Sequence, residues 1–372
     1  GWAYEFYDKN ERNRSNLTQE IRLSMESIIM GGYFKQLIEQ DEAMGYLYGG
    51  AATDATSPYD FLVAAGYGQY GVNLTPSLKL KANVRFENNS IKYEGTSQGL
   101  NDYWEKIKLP PINFYVDHAM IGYRTSLHYL KDKFTTFYGS VSQGYKSGGV
   151  NQQPYLSDTS RPFDPEFIQN FEVGLNRVTN IYRTQLSAFY SLRKDQQVSL
   201  SSQQVEGDPN SFLFYTTNAG SGTIQGFEWE NTLNVSSNLY MDASLGYLTT
   251  WVNKFTYFAA EGVEAIGGDR EAAMSPKMTG SVGFNFKNNS GIFGLVQMSF
   301  KDEYYFSDSH NQKSKPYTLL NINIGKSFGK TIVKLWIRNA LDERYTTRGF
   351  YFGLIPPTYP DQLWKSYGDP RQ

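Results

Sequence analysis

Gly226-Phe227-Glu228-Trp229-Glu230-Asn231-Thr232-Leu233-Asn234-Val235 is the stretch that decides the fold. Phe227, Trp229, Leu233 and Val235 hold odd positions, while Glu228, Glu230, Thr232 and Asn234 hold even ones. Successive side chains of an extended chain point to opposite faces. The segment is therefore apolar on one side and polar on the other, which is a half-buried strand and not a helix. Ser236-Ser237-Asn238 supplies a tight turn, and the alternation resumes beyond it with Met241, Ala243, Leu245, Tyr247 and Trp251 against Asp242, Ser244, Gly246 and Thr250.

The same pattern recurs outward from this hairpin. Ala119, Ile121, Tyr123, Leu127 and Tyr129 oppose His118, Arg124, Ser126 and His128; Leu186, Ala188, Tyr190 and Leu192 oppose Arg183, Gln185, Ser187 and Arg193. Turn signals recur roughly every fifty residues, at Gly31-Gly32, Thr75-Pro76-Ser77, Lys131-Asp132-Lys133, Thr179-Asn180, Ser236-Ser237-Asn238, Lys287-Asn288-Asn289-Ser290 and Gly329-Lys330. The other connections are long and irregular: Gly45 to Pro58, Gly95 to Val116, Ser147 to Asp164, Ser201 to Gly222 and Lys254 to Pro276. Short turns at one end and long loops at the other are the arrangement of a transmembrane barrel, turns in the periplasm and loops outside. A soluble sandwich or propeller also alternates, but its strands are typically ~5 to 6 residues. Asp60 to Thr75 and Leu239 to Asn253 exceed the ~9 to 11 residues that cross a bilayer at a tilt. The reading is all-β: an antiparallel transmembrane β-barrel, an up-and-down meander of about fourteen strands. Phe227, Trp229, Leu245, Tyr247, Ile121 and Leu186 should face lipid, and Glu228, Glu230, Arg124, Arg183 and Asp242 the lumen.

Composition agrees. Aromatic residues are 16% of the chain while hydrophobic residues total only 40%, a mixture that suits strands with one lipid face, one polar face and Tyr or Trp girdles. No run approaches the ~20 apolar residues of a membrane helix. A net charge of −2 removes the broad basic field that nucleic acid requires. There is no cysteine, hence neither a disulfide nor a thiolate metal site. His118 and His128 share a strand face but stand ~33 Å apart along it, too far to bind one metal. His310 lies in Phe306-Ser307-Asp308-Ser309-His310-Asn311, where adjacency in sequence does not make a triad. No metal, cofactor or catalytic role is assigned.

Several local sequences carry a resemblance: Thr18-Gln19-Glu20-Ile21-Arg22-Leu23, Gly144-Tyr145-Lys146-Ser147-Gly148-Gly149, Asp164-Pro165-Glu166 with Phe171-Glu172-Val173-Gly174-Leu175, and Asn218-Ala219-Gly220 with Gly226-Phe227-Glu228-Trp229-Glu230. Ile337-Arg338-Asn339-Ala340-Leu341-Asp342-Glu343-Arg344-Tyr345 and Tyr367-Gly368-Asp369-Pro370-Arg371 close the series. In order and spacing the chain resembles the barrel domain of TonB-dependent receptors, particularly the iron-complex subgroup. The resemblance implies about fourteen of a barrel's expected twenty-two strands. It also implies that residues 1–372 are part of that domain, with the amino-terminal plug, the first strands and the last strand lying outside them. Further implications are residence in the outer membrane of a Gram-negative bacterium, contact with outer-membrane lipid and lipopolysaccharide, and drive from a TonB-ExbB-ExbD complex through the plug.

By the same resemblance the function is that of a receptor and TonB-dependent active transporter for a scarce bulky solute, a ferric siderophore before haem, cobalamin or an oligosaccharide. A plug-free porin and an outer-membrane enzyme are the alternatives; the motifs oppose the first, and a rim cluster that needs His310 would mark the second. Ferric siderophores are commonly anionic and often aromatic, so capture calls for Arg or Lys beside Tyr, Phe or Trp in the long loops. Arg270, Tyr304, Tyr305, His310, Arg348, Phe350, Tyr351 and Phe352 meet that description. An interfacial aromatic girdle would place the same residue types there, so their convergence on one cavity is the deciding observation.

Overall fold

The computed structural model describes residues 8–47, 52–101, 103, 105–153, 156, 158–203, 212–260, 263–308, 310–353 and 360–372. Fourteen strands follow one another in chain order through a single sheet, each hydrogen-bonded to the next. We number them β1 (Asp8–Ser24), β2 (Ile28–Leu47), β3 (Ala52–Thr75), β4 (Leu78–Leu100), β5 (Ile112–Asp132), β6 (Thr135–Lys146) and β7 (Glu166–Val178). The second half comprises β8 (Tyr182–Gln203), β9 (Phe212–Ser236), β10 (Leu239–Val252), β11 (Met278–Lys287), β12 (Ile292–Lys301), β13 (Tyr317–Phe328) and β14 (Thr331–Ile337). All thirteen pairings are antiparallel. The sheet is open: among the described residues β1 pairs only with β2 and β14 only with β13. Both outer strands therefore leave an edge without a partner strand among the described residues.

Register settles the faces, because residues directly opposite in an antiparallel pair lie on the same side. Tyr129, Phe137, Leu175, Leu186, Trp229 and Leu245 form one row across six strands. The adjoining row of the same face holds Leu127, Gly139, Val173, Ala188, Phe227 and Tyr247. Between them, on the opposite face, run His128, Tyr138, Gly174, Ser187, Glu228 and Gly246. Arg183, Thr232 and Asp242 share that polar face, as does Arg124, opposite Ser142. The predicted lipid and lumen sets therefore fall on separate faces. The polar face satisfies its own groups: Tyr138 Oη donates to Glu172 at 2.8 Å, and Asp242 accepts from Thr232 Oγ1 at 2.8 Å and Asn285 Nδ2 at 3.0 Å. Among the described residues the apolar face is left uncovered by protein; Ile21, Phe86, Val173, Leu186 and Phe284 are all exposed. Such a continuous exposed apolar band belongs in lipid.

Two details differ from the expectation. Gly31-Gly32 is not a turn but part of β2, the chain reversing between Ser24 and Ile28. Gly31 lies opposite Tyr67, whose side chain crosses it so that the hydroxyl donates to Glu20; a Cβ at Gly31 would meet Tyr67 Oη at 2.5 Å. The glycine serves a close approach within the sheet. The long connections are also more regular than their sequence suggests. β4 runs 23 residues to Leu100 and β9 runs 25 from Phe212, so much of the Gly95–Val116 and Ser201–Gly222 segments is strand, and Lys254–Pro276 contains the hairpin Phe255–Ala260 with Val263–Gly267. Their tips at 48–51, 204–211 and 261–262 lie outside the described residues.

Candidate functional site at the long-loop end

The strands are longer than a bilayer needs, and their polarity inverts part-way. On β4, Leu78, Leu80, Ala82, Val84 and Phe86 form the lipid face, but the same face continues as Asn88, Ser90, Lys92 and Glu94. The inner face changes in the opposite sense, from Lys79, Lys81, Arg85 and Glu87 to the buried Ile91 and Tyr93. Leu78 to Phe86 covers ~27 Å of strand, which at a tilt fits the ~25 Å apolar band of a membrane barrel. Above that band, the interior is apolar because protein covers it. Ile91, Tyr93, Ile112 and Val150 pack with Tyr59, Phe61, Phe114 and Val116, bringing the loop after β6 down onto the inner face.

That loop is held by hydrogen bonds along its length. Asn151 Nδ2 donates to Thr216 O at 2.8 Å, Tyr93 Oη donates to Gln152 O at 3.0 Å, and the buried Arg161 guanidinium donates to Gln153 O at 2.7 Å and Leu156 O at 2.6 Å. Between loop and strands lies a cavity of about 350 Å³ whose lining includes Arg12, Asp41, Ser57, Asn151, Gln153 and Thr216. Arg12 stands on β1 and Thr216 on β9, so the sheet curls far enough for distant strands to face one interior. Arg12 Nε meets Asp41 Oδ1 at 2.6 Å and compensates its charge. The remaining lining offers amides and hydroxyls, and Gln153 Oε1 is buried with no partner among the described residues. Such a lining suits neutral hydrogen-bonding groups. This cavity is invisible in the sequence, since it joins residues more than 200 positions apart.

The loop residues singled out from sequence divide. Arg270, Tyr305, His310 and Tyr351 come together: the Arg270 guanidinium lies 4.5 Å from the Tyr305 ring centre, and the His310 and Tyr351 ring centres are 6.0 Å apart. Arg270 Nη1 donates to His310 O and Asn311 Oδ1, each at 2.7 Å, and Nη2 donates to Ser307 O. The arginine thus staples the 302–316 loop to its own. Tyr304 is buried, its hydroxyl donating to Thr346 O and Thr347 O at 3.3 Å, so it docks the hairpin Thr346–Gly353 with Asp361–Tyr367. Arg348 and Phe350 are exposed and alternate with Gly349 and Tyr351, and so point away from the cluster; Phe352 continues the same strand. Arg348 and Phe350 thus stand apart from the residues gathered around Arg270. Burial and the Arg270 charge lower the His310 pKa from the ordinary imidazole value, against a hydrogen bond with the Gly349 backbone that raises it. Its Nδ1 accepts from Gln312 N at 3.3 Å, Asp308 is occupied by the Ala273 amide at 3.2 Å, and Ser309 lies outside the described residues. His118 sits beneath Gly148, and His128 beside Tyr138 with Ser126 Oγ at 3.1 Å, so the two do not converge. No group of three or more metal-ligating side chains occurs among the described residues.

An apolar belt, a polar interior and a loop-roofed end define a transmembrane β-barrel of the Gram-negative outer membrane. The chain belongs to the family of TonB-dependent receptor-like β-barrels, whose profile matches residues 3–340. A curated relative, the pesticin receptor of Yersinia pestis, is 23% identical over 299 residues, 78% of this chain and 40% of the relative. Among solved structures, the ferric yersiniabactin uptake receptor FyuA from Yersinia pestis superposes with a TM-score of 0.79 at 16% identity, covering 99% of this chain and 54% of that one. The siderophore receptor PiuA from Acinetobacter baumannii gives 0.62 at 12%, covering 99% and 64%. The structural likenesses concern the fold. The chain spans 40% of the length of the curated relatives it matches.

Proposed function

We propose that residues 1–372 form part of the barrel of an outer-membrane receptor and TonB-dependent active transporter that captures a ferric siderophore. Membership of the receptor family across residues 3–340 carries this reading. Similar folds bear names that specify ferric yersiniabactin uptake, a siderophore receptor and a ferric-catecholate import receptor. The plug and its link to a TonB-ExbB-ExbD complex belong to the remainder of the receptor. Two stations would receive the solute: the aromatic cluster of Tyr305, His310 and Tyr351 beside Arg270, and the neutral cavity beside Asn151 and Gln153. The first offers stacking, the second hydrogen bonds to uncharged groups. Arg270 contributes by holding Tyr305 and His310 in place, and Arg348 and Phe350 form a rim at first encounter.

Uptake of radiolabelled iron by cells expressing the intact receptor tests the assignment. Transport of a ferric siderophore should require both receptor and TonB, and transport that persists without TonB would reject it in favour of a passive pore. Tyr305→Ala with Tyr351→Ala should weaken ferric-siderophore binding about tenfold, as expected for two aromatic anchors, with unchanged barrel in the membrane.

A further inference from the structure

The end of the sheet bearing the short turns is basic although the whole chain carries −2. The β5–β6 turn holds Lys131 and Lys133 around a single acid, Asp132, and the segment from Lys326 to Lys334 holds three lysines and no acid. The β5–β6 turn is joined to the end of β7, where Val178 N donates to Phe134 O at 2.9 Å. Arg177 stands there opposite Thr135 and Thr184, on the lipid face, one row beyond Tyr129, Phe137, Leu175 and Leu186. A guanidinium on that face is tolerable only at headgroup depth. Its neighbours fix its position: Nε donates to Tyr182 Oη at 2.7 Å and Nη1 to Thr135 Oγ1 at 2.6 Å. Nη2 has no hydrogen-bond partner among the described residues, and Asp132, 3.9 Å from Nη1, is already bonded to the Phe134 amide. Lys133 lies 4.8 Å from the Phe134 ring centre without a carboxylate partner among the described residues.

We infer that Arg177, Lys131 and Lys133 form a binding site for the phosphodiester headgroup of an anionic phospholipid in the periplasmic leaflet, with acyl chains against the apolar row beneath. Charge complementarity selects the headgroup, since three cations outnumber the one acid, Asp132, whose ion pair with Arg177 at 3.9 Å leaves the cluster net positive. The exposed Tyr129, Phe137 and Leu186 select a lipid over a soluble anion, because only a lipid fills both regions at once. This site depends on the membrane orientation and not on the identity of the solute.

Native mass spectrometry of the intact receptor, released from nanodiscs of phosphatidylcholine doped with phosphatidylglycerol, counts the retained lipid. Lys133→Gln alone should reduce the preference for phosphatidylglycerol about fivefold, and Lys131→Gln, Lys133→Gln and Arg177→Gln together by at least tenfold. The single variant leaves the Arg177 bonds intact and serves if the triple variant fails to fold. Lys106→Gln, Lys108→Gln and Lys277→Gln at the long-loop end should change nothing. An unaltered preference in a folded Lys133→Gln barrel, or an equal loss in the long-loop control, would overturn the site. Displacement of the lipid by inorganic phosphate on the order of 10 mM would make it a simple anion site and reject the lipid assignment.

Discussion

Arg270 shows how a residue of binding character becomes a structural one. Three backbone or side-chain acceptors and one aromatic ring engage it, so its removal unfastens two loops before it affects any solute. Arg270→Ala should therefore speed amide exchange across residues 302–316, by an amount that corresponds to about 1 to 3 kcal/mol once partial exposure is allowed for. Unchanged exchange would show that the staple is dispensable. His310 adds a pH dependence to the same loops. Its folded pKa lies below the ordinary value, so the unfolded loop binds the proton more readily. The cluster should be unaffected above pH ~6.5 and loosen as pH falls below it. Amide protection, taken relative to the intrinsic exchange rate at each pH, should differ between mildly acidic and mildly alkaline pH in the native protein and not in His310→Gln; a difference that survives the substitution would assign it elsewhere. Gly349 is constrained by packing, since a Cβ there would strike the Phe306 ring. Gly349→Val should release the 346–353 hairpin and leave the transmembrane sheet intact, as limited proteolysis would show.

Along a strand, two environments meet within one run of residues. β4 reads lysine-in, leucine-out near the short turn and isoleucine-in, lysine-out near its far end, because lipid replaces water outside the lower half and protein replaces water inside the upper half. Substitution tests the two faces directly. Leu245→Arg, near the middle of the belt, should cost about 2 to 4 kcal/mol, whereas Glu228→Gln on the lumen wall should lie within about 0.5 kcal/mol. Denaturant titration in lipid vesicles would distinguish them, and equal effects would contradict the register.

At the scale of the molecule, the meander places every short turn at one end and every long ribbon at the other. The chain has no cysteine, so single introduced thiols report orientation without background. In intact cells, Lys106→Cys should react with a membrane-impermeant maleimide, while Ser77→Cys and Lys330→Cys should react only after the outer membrane is breached. The opposite pattern would invert the barrel and move the basic rim to the cell surface.

Strand order, register class and the assignment of Phe227, Trp229 and Leu245 to lipid were legible in the sequence, because a two-residue period and a turn signal are local properties. The Gly31-Gly32 pair is ambiguous for a local reason as well: a glycine pair marks either a reversal or a close approach, and only Tyr67 on the neighbouring strand distinguishes them. The loop-end residues were legible as a type but not as a place. Arg270, Tyr305, His310 and Tyr351 meet because three connections fold onto one another, whereas Arg348 and Phe350, on the same hairpin as Tyr351, turn away by alternation. The cavity beside Arg12, Asn151 and Thr216 had no sequence signature at all. Local chemistry determines which face of a strand meets lipid, since each residue is tested against its immediate solvent; which distant side chains share a cavity depends on the curl of the whole sheet and the path of its loops, and that is decided only by tertiary packing.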